Sequence, residues 1–173
     1  MPESPIEEHT RLGNDQLSWD ITAQELFASA AVLNRERERV EKSLKSKPYP
    51  RRVPMESKTF WVELMLAAFG IECLIKALWL KQGHALARGG KYIGMMKKEG
   101  HRLEKLCRCA GIKLKPREEE TLTRLSDIAG SIGRYPIPSR VPQRAVELGW
   151  SDPHDYDIIE NIIARLEREL RKN

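Results

Sequence analysis

A chain of 173 residues with 40% hydrophobic and 32% charged positions has the length and apolar content for one domain with its own core, and is neither disordered nor fibrous in composition. Its net charge of +5 is unevenly placed: residues 1–34 hold one basic and six acidic side chains, 35–58 nine and four, and 88–117 ten and two. Two basic segments on an acidic background suit a local anionic partner such as nucleic acid or nucleotide, or simply solvated surface loops.

Residues 1–16 are polar and acidic with two prolines and read as a flexible tail, leaving 17–173 as a single helical domain. From Leu17 to Leu44 the pattern is helical, with Ile21, Leu26, Phe27, Ala30, Ala31 and Leu33 giving a broad apolar face. Within it, Arg35–Arg39 alternates in sign, the pattern of a solvated helix surface. Pro48, Pro50 and Pro54 then exclude regular helix and surround the basic pair Arg51 and Arg52.

The next helix covers about 57–82 and is apolar nearly all round, which places it at the centre of its domain. A membrane span is the rival reading of 60–80. Glu63, Glu72 and Lys76 weigh against it, since a charge near the bilayer centre costs roughly 2.5–3.5 kcal/mol. Glu72 and Lys76 stand four apart with the carboxylate first, so they share one face and can pair.

Residues 83–100 form a basic loop with Lys91, Lys97 and Lys98, whose glycines fit neither a P-loop nor a dinucleotide fingerprint. A short helix is predicted at 101–110. Pro116 suits the first turn of another, with Leu122, Leu125 and Ala129 inward. After a proline-containing loop at 134–149, Asp152 and Pro153 suit the start of a closing helix lined by Ile159, Ile162, Ile163, Leu166 and Leu170. No segment reads as a strand. The expected architecture is all-α, an antiparallel bundle of four to five helices.

Cys73, Cys107 and Cys109 are an odd set without a secretory signal, so no disulfide framework is expected and the reading is a reducing cytoplasm. Cys107, Cys109, His101 and His84 lack the paired spacing of a metal site, and no cofactor or metal is expected.

The order of elements carries a resemblance. Long helix, basic proline loop and central helix with Gly70-Ile71-Glu72-Cys73-Leu74-Ile75-Lys76-Ala77-Leu78 are followed by Gly100-His101-Arg102-Leu103 and Gly133-Arg134-Tyr135-Pro136. Over about 17–172 the chain resembles the HEPN superfamily (higher eukaryotes and prokaryotes nucleotide-binding), small helical domains of prokaryotic defence and toxin–antitoxin systems. The resemblance implies a helical bundle, often a homodimer, that binds RNA or nucleotide and in many members cleaves RNA without metal. A rival reading makes the chain a helical protein-interaction partner of an antitoxin or nucleotidyltransferase, without RNA affinity of its own. The family's catalytic arginine, followed after four to six residues by a histidine, is not matched at His9, His84, His101 or His154.

The candidate site is therefore built from other residues. His101 and Arg134 are the candidate catalytic pair, with Glu72, Lys76 and Tyr135 beside them and Arg51, Arg52, Lys91, Lys97, Lys98 and Arg102 as phosphate contacts. Together they offer a base, a forked anion binder and a hydroxyl. Structural roles compete at each position: a buried pair fixing bundle register for Glu72 and Lys76, helix caps for His101 and Arg134, and a core ring for Tyr135.

Overall fold

The computed structural model describes residues 3–44, 59–96, 101–132 and 154–172. Among these, six helices and one short hairpin make an all-α fold: α1 Pro5–Gly13, α2 Gln16–Leu44, α3 Phe60–Lys81, β1 Ala87–Arg88, β2 Lys91–Tyr92, α4 Leu103–Cys109, α5 Pro116–Asp127 and α6 His154–Arg171.

Helix α3 is the hub. Its apolar residues leave little polar surface for water, and every residue from Gly70 to Leu78 is buried. Contacts along its length fix the arrangement of the others. Arg37, Phe27 and Trp19 of α2 meet Glu63, Gly70 and Lys76 of α3 in reverse order, so the two helices run antiparallel. They approach closely because Ala23, Ala30 and Ala68 are small and Gly70 has no side chain; a Cβ there would lie 2.3 Å from the Phe27 ring. Helix α6 meets α3 in the same order, Tyr156 at Glu63 and Leu170 at Lys81, so these two run parallel rather than antiparallel. The Lys81 ammonium bonds the Glu169 and Leu170 carbonyls at 3.0 and 2.8 Å, placing a cation at the negative end of α6.

Helices α4 and α5 close the core with Leu103, Leu106, Cys107, Leu122 and Leu125, followed by a π-helical turn at Ile128–Ile132. Pro116 stands in the first turn of α5, as the sequence predicts. Glu118 accepts the Lys115 backbone N–H at 2.8 Å and completes the start. Burial pushes the Cys73 and Cys107 thiols up to about 11 and about 12, consistent with core roles. Asp152 and Pro153 lie outside the described residues.

Two expectations are corrected. The segment expected as a flexible tail contains α1, started by Pro5 and a capping box in which Ser4 and Glu7 bond each other's backbone N–H. Part of the basic loop is a hairpin, Ala87 opposite Tyr92 and Arg88 opposite Lys91. Its two-residue turn needs positive φ at both positions, which Gly89 (56°) and Gly90 (71°) supply.

The tail and the hairpin hold each other. Asn14 accepts the Leu86 and Ala87 N–H groups at 2.7 and 2.9 Å and donates to the Ala87 carbonyl at 2.8 Å. The Gly90 N–H bonds the Thr10 hydroxyl at 2.9 Å. Helix α1, which buries no residue, thus gains a fixed place through hydrogen bonds to the hairpin backbone.

Candidate functional site

Of the residues expected to cluster, the three that lie among the described residues, Glu72, Lys76 and His101, meet. Glu72 and Lys76 lie one helical turn apart, with Lys76 Nζ 2.6 Å from Glu72 Oε1. The second carboxylate oxygen receives His101 Nδ1 at 2.7 Å, from the segment just before α4. One buried carboxylate thus bridges an ammonium and an imidazole. His101 does not cap α4; Arg102 holds the N-cap position, and it makes no side-chain cap bond.

Aromatic rings from three elements complete the surroundings. Lys76 Nζ sits 4.9 Å from the Trp19 ring centroid and 5.1 Å from that of Tyr92, within cation–π range of both. Phe69 meets the His101 ring edge to face at 5.1 Å. Burial disfavours the Lys76 charge, but Glu72 and the Tyr92 hydroxyl outweigh that and hold the ammonium above its ordinary pKa.

The exposure of the three side chains separates their roles. Glu72 and Lys76 are 9% and 8% exposed, whereas His101 is 32% exposed. The tautomer that donates Nδ1–H to the carboxylate would carry its acceptor at Nε2. A histidine oriented in this way by a buried carboxylate can take up or deliver a proton.

The remaining candidates divide. Lys91 is exposed on the hairpin beside Tyr92. Arg102 is half-exposed and engaged with the buried Glu104 carboxylate at 2.8 Å. Glu104 also accepts from Ser126, whose oxygen takes the Leu103 N–H at 2.9 Å. Arg51, Arg52, Lys97, Lys98, Arg134 and Tyr135 lie outside the described residues.

A second node was not expected. Arg37, inside the alternating charge run read as solvated, turns inward. Its Nε lies 3.2 Å from Glu63 Oε2, and it bonds Asn34 at 2.7 Å. The Tyr156 hydroxyl donates to Glu63 Oε1 at 3.0 Å, so the node ties α2, α3 and α6 together. Burial pushes the Glu63 carboxyl above its ordinary range, against the opposing pull of Tyr156 and Arg37. Burial and Glu63 together raise the Tyr156 phenol. With every group engaged, this node reads as a structural clamp.

Sequence reasoning missed Trp19, Phe69, Tyr92 and Asn14 as site neighbours. Tyr92 could have been found as an aromatic residue beside Lys91 in a basic segment; Trp19 and Asn14 carry no local signal. Among the described residues no group of three His, Cys, Asp or Glu side chains could hold a metal ion, and no helix is long and apolar enough to cross a membrane. Comparison with protein-family models, curated proteins and solved structures finds no match to this chain.

Proposed function

We propose that the chain is a HEPN-like helical domain that binds RNA or nucleotide phosphate at the Glu72–Lys76–His101 node, in a prokaryotic defence or toxin–antitoxin setting. The observation that carries this reading is the convergence of a carboxylate-held histidine and a buried ammonium beside a half-exposed Tyr92, next to the most basic segment of the chain. Tyr92 offers a stacking surface for a base, and Lys91 beside it a phosphate contact. Binding of a labelled single-stranded RNA, followed by fluorescence anisotropy, tests it. His101→Ala and Tyr92→Ala should each weaken binding by tenfold or so, the scale of one lost base stack of roughly 1–3 kcal/mol. Unchanged affinity in both variants refutes the assignment.

One observation favours a catalytic reading of the same site. His101 Nδ1 lies 2.7 Å from Glu72 Oε2, and in the tautomer that donates there Nε2 would serve as a base for the proton of a ribose 2′-hydroxyl, without metal. Incubating the protein with RNA in EDTA separates the two. Cleavage by the wild type and not by His101→Ala makes it a metal-independent ribonuclease, whereas intact RNA leaves a binding domain.

A further inference from the structure

Lys76 is closed to a phosphate in the arrangement described above. Its side chain is 8% exposed, with Glu72 Oε1 at 2.6 Å and the Trp19 and Tyr92 rings 4.9 and 5.1 Å from Nζ. Trp19 belongs to the long helix α2, whereas Tyr92 belongs to the hairpin and forms the outermost layer, 47% exposed.

The hairpin is held by few apolar contacts. Residues 87–94 hang between Leu86 and Met95, both buried in the core, and Gly94 at the far end has a φ of 68°. Of these eight residues only Ala87 is buried; Arg88, Lys91, Tyr92 and Ile93 are all exposed. What fixes them from outside is α1. Asn14 bonds the Leu86 and Ala87 backbone, the Thr10 hydroxyl takes the Gly90 N–H, and Ile6 packs on Gly90. Helix α1 is itself tied to the body, since Trp19 Nε1 donates to the Gly13 carbonyl at 3.0 Å. A segment fixed by hydrogen bonds with little apolar burial opens at a free energy below that of global unfolding.

We infer that the 87–94 hairpin is a cover over Lys76, latched by α1, and that its release admits an anionic ligand to the ammonium. The inference rests on the reading of the node as a phosphate site. Release carries Tyr92 away from Lys76, which frees the ammonium for a phosphate and the ring face for a base. While the cover is latched the site is closed, so apparent affinity is lowered by the fraction of chains that are open. Helix α1 thus acts as a brake on the site, and whatever draws it off the hairpin raises affinity.

Pyridoxal 5′-phosphate, a phosphate with a lysine-reactive aldehyde, reads the opening in the full chain without RNA. After trapping with borohydride, peptide mass spectrometry compares Lys76 with the exposed Lys91. In the wild type Lys76 should label at least about tenfold more slowly than Lys91. Asn14→Ala should speed Lys76 about tenfold, the scale of the hydrogen bonds it removes, and leave Lys91 unchanged. A link between α1 and the hairpin should do the reverse. A Cβ at Gly90 would lie 3.5 Å from Ile6 Cβ, within the roughly 3.5–4.5 Å that a disulfide spans. Oxidised Ile6→Cys/Gly90→Cys should therefore label more slowly at Lys76 than wild type, and reducing the same protein should restore the rate. The φ of 71° at Gly90 strains a cysteine, and Asn14→Ala reads the same opening without that strain. Lys76 labelled as fast as Lys91, or at a rate indifferent to Asn14→Ala and to the link, overturns the cover. RNA affinity is measured on the same proteins: labelling that follows the variants while RNA affinity stays constant keeps the cover and removes RNA as its ligand.

Discussion

Replacing Glu72 with glutamine is the sharpest test of the node's physics. The substitution keeps volume and an acceptor for Lys76 but removes the carboxylate charge paired with its ammonium. At 2.6 Å the attraction between unit charges is about 6 kcal/mol at an effective dielectric constant of about 20. Desolvation of both ions offsets much of that, and breaking a buried pair at one partner costs about 3–5 kcal/mol. Because the amide still accepts a hydrogen bond, we expect a loss near the lower end, about 3 kcal/mol, measured by urea unfolding at neutral pH.

The pH dependence gives an independent sign. In the wild type the folded Lys76 pKa lies above its ordinary 10.5, so its contribution is fully present below that value and fades only as pH rises through the folded pKa. In Glu72→Gln the carboxylate's pull is lost and the Tyr92 hydroxyl opposes burial only weakly, so the folded pKa is expected to fall below the unfolded one. The unfolded chain then binds the proton more tightly, and the variant should gain stability as pH rises from 7 towards 10. Glu72→Gln/Lys76→Met, which removes both charges, should recover to within about 1 kcal/mol of wild type. A single variant that loses under about 1 kcal/mol, as an exposed pair would, or a double variant no better than the single, refutes the buried-pair account.

Three further outcomes follow from the same geometry. Gly70→Ala places a Cβ 2.3 Å from the Phe27 ring and should cost about 1–3 kcal/mol in thermal or urea unfolding, as overpacked cores do. Asn14→Ala removes three hydrogen bonds to Leu86 and Ala87. It should cost about 1–3 kcal/mol and speed amide exchange at those two residues; unchanged exchange would mean the hairpin stands without α1. Glu63 has a raised folded pKa, so its proton-linked stabilisation is full below the ordinary 4.5 and lost as pH rises through the folded value. Glu63→Gln should therefore show a shallower loss of stability than wild type as pH rises above 4.5 in urea unfolding, and an identical slope would refute the shift.

Spacing made the central elements legible. Helix α3, the four-residue separation of Glu72 and Lys76, and Pro116 opening α5 are local signals that a periodicity argument reads directly. Helix α1 was missed because it is short, buries no residue and has only Ile6 and Leu12 as large apolar side chains. Its start is marked in the sequence by Ser4-x-x-Glu7, a capping-box spacing, within a stretch read as a tail from its acidity and prolines. Arg37 could not be told from its neighbours Arg35 and Arg39, since Glu63 and Tyr156, which draw it inward, lie on other helices. The aromatic neighbours of Lys76 had the same difficulty. Trp19 lies on α2 and Tyr92 on the hairpin that Asn14 and Thr10 help to hold, both distant from Lys76 in sequence.

Affinity for single-stranded RNA as a function of salt, for wild type beside His101→Ala, tests the central claim most directly. Four phosphate contacts would give a log–log slope near −3 and about 50-fold weaker binding between 50 and 200 mM salt. We predict that slope for the wild type, with His101→Ala weaker at every salt concentration. Salt-independent affinity, or equal affinity in the two proteins, would contradict a nucleic-acid site at this node.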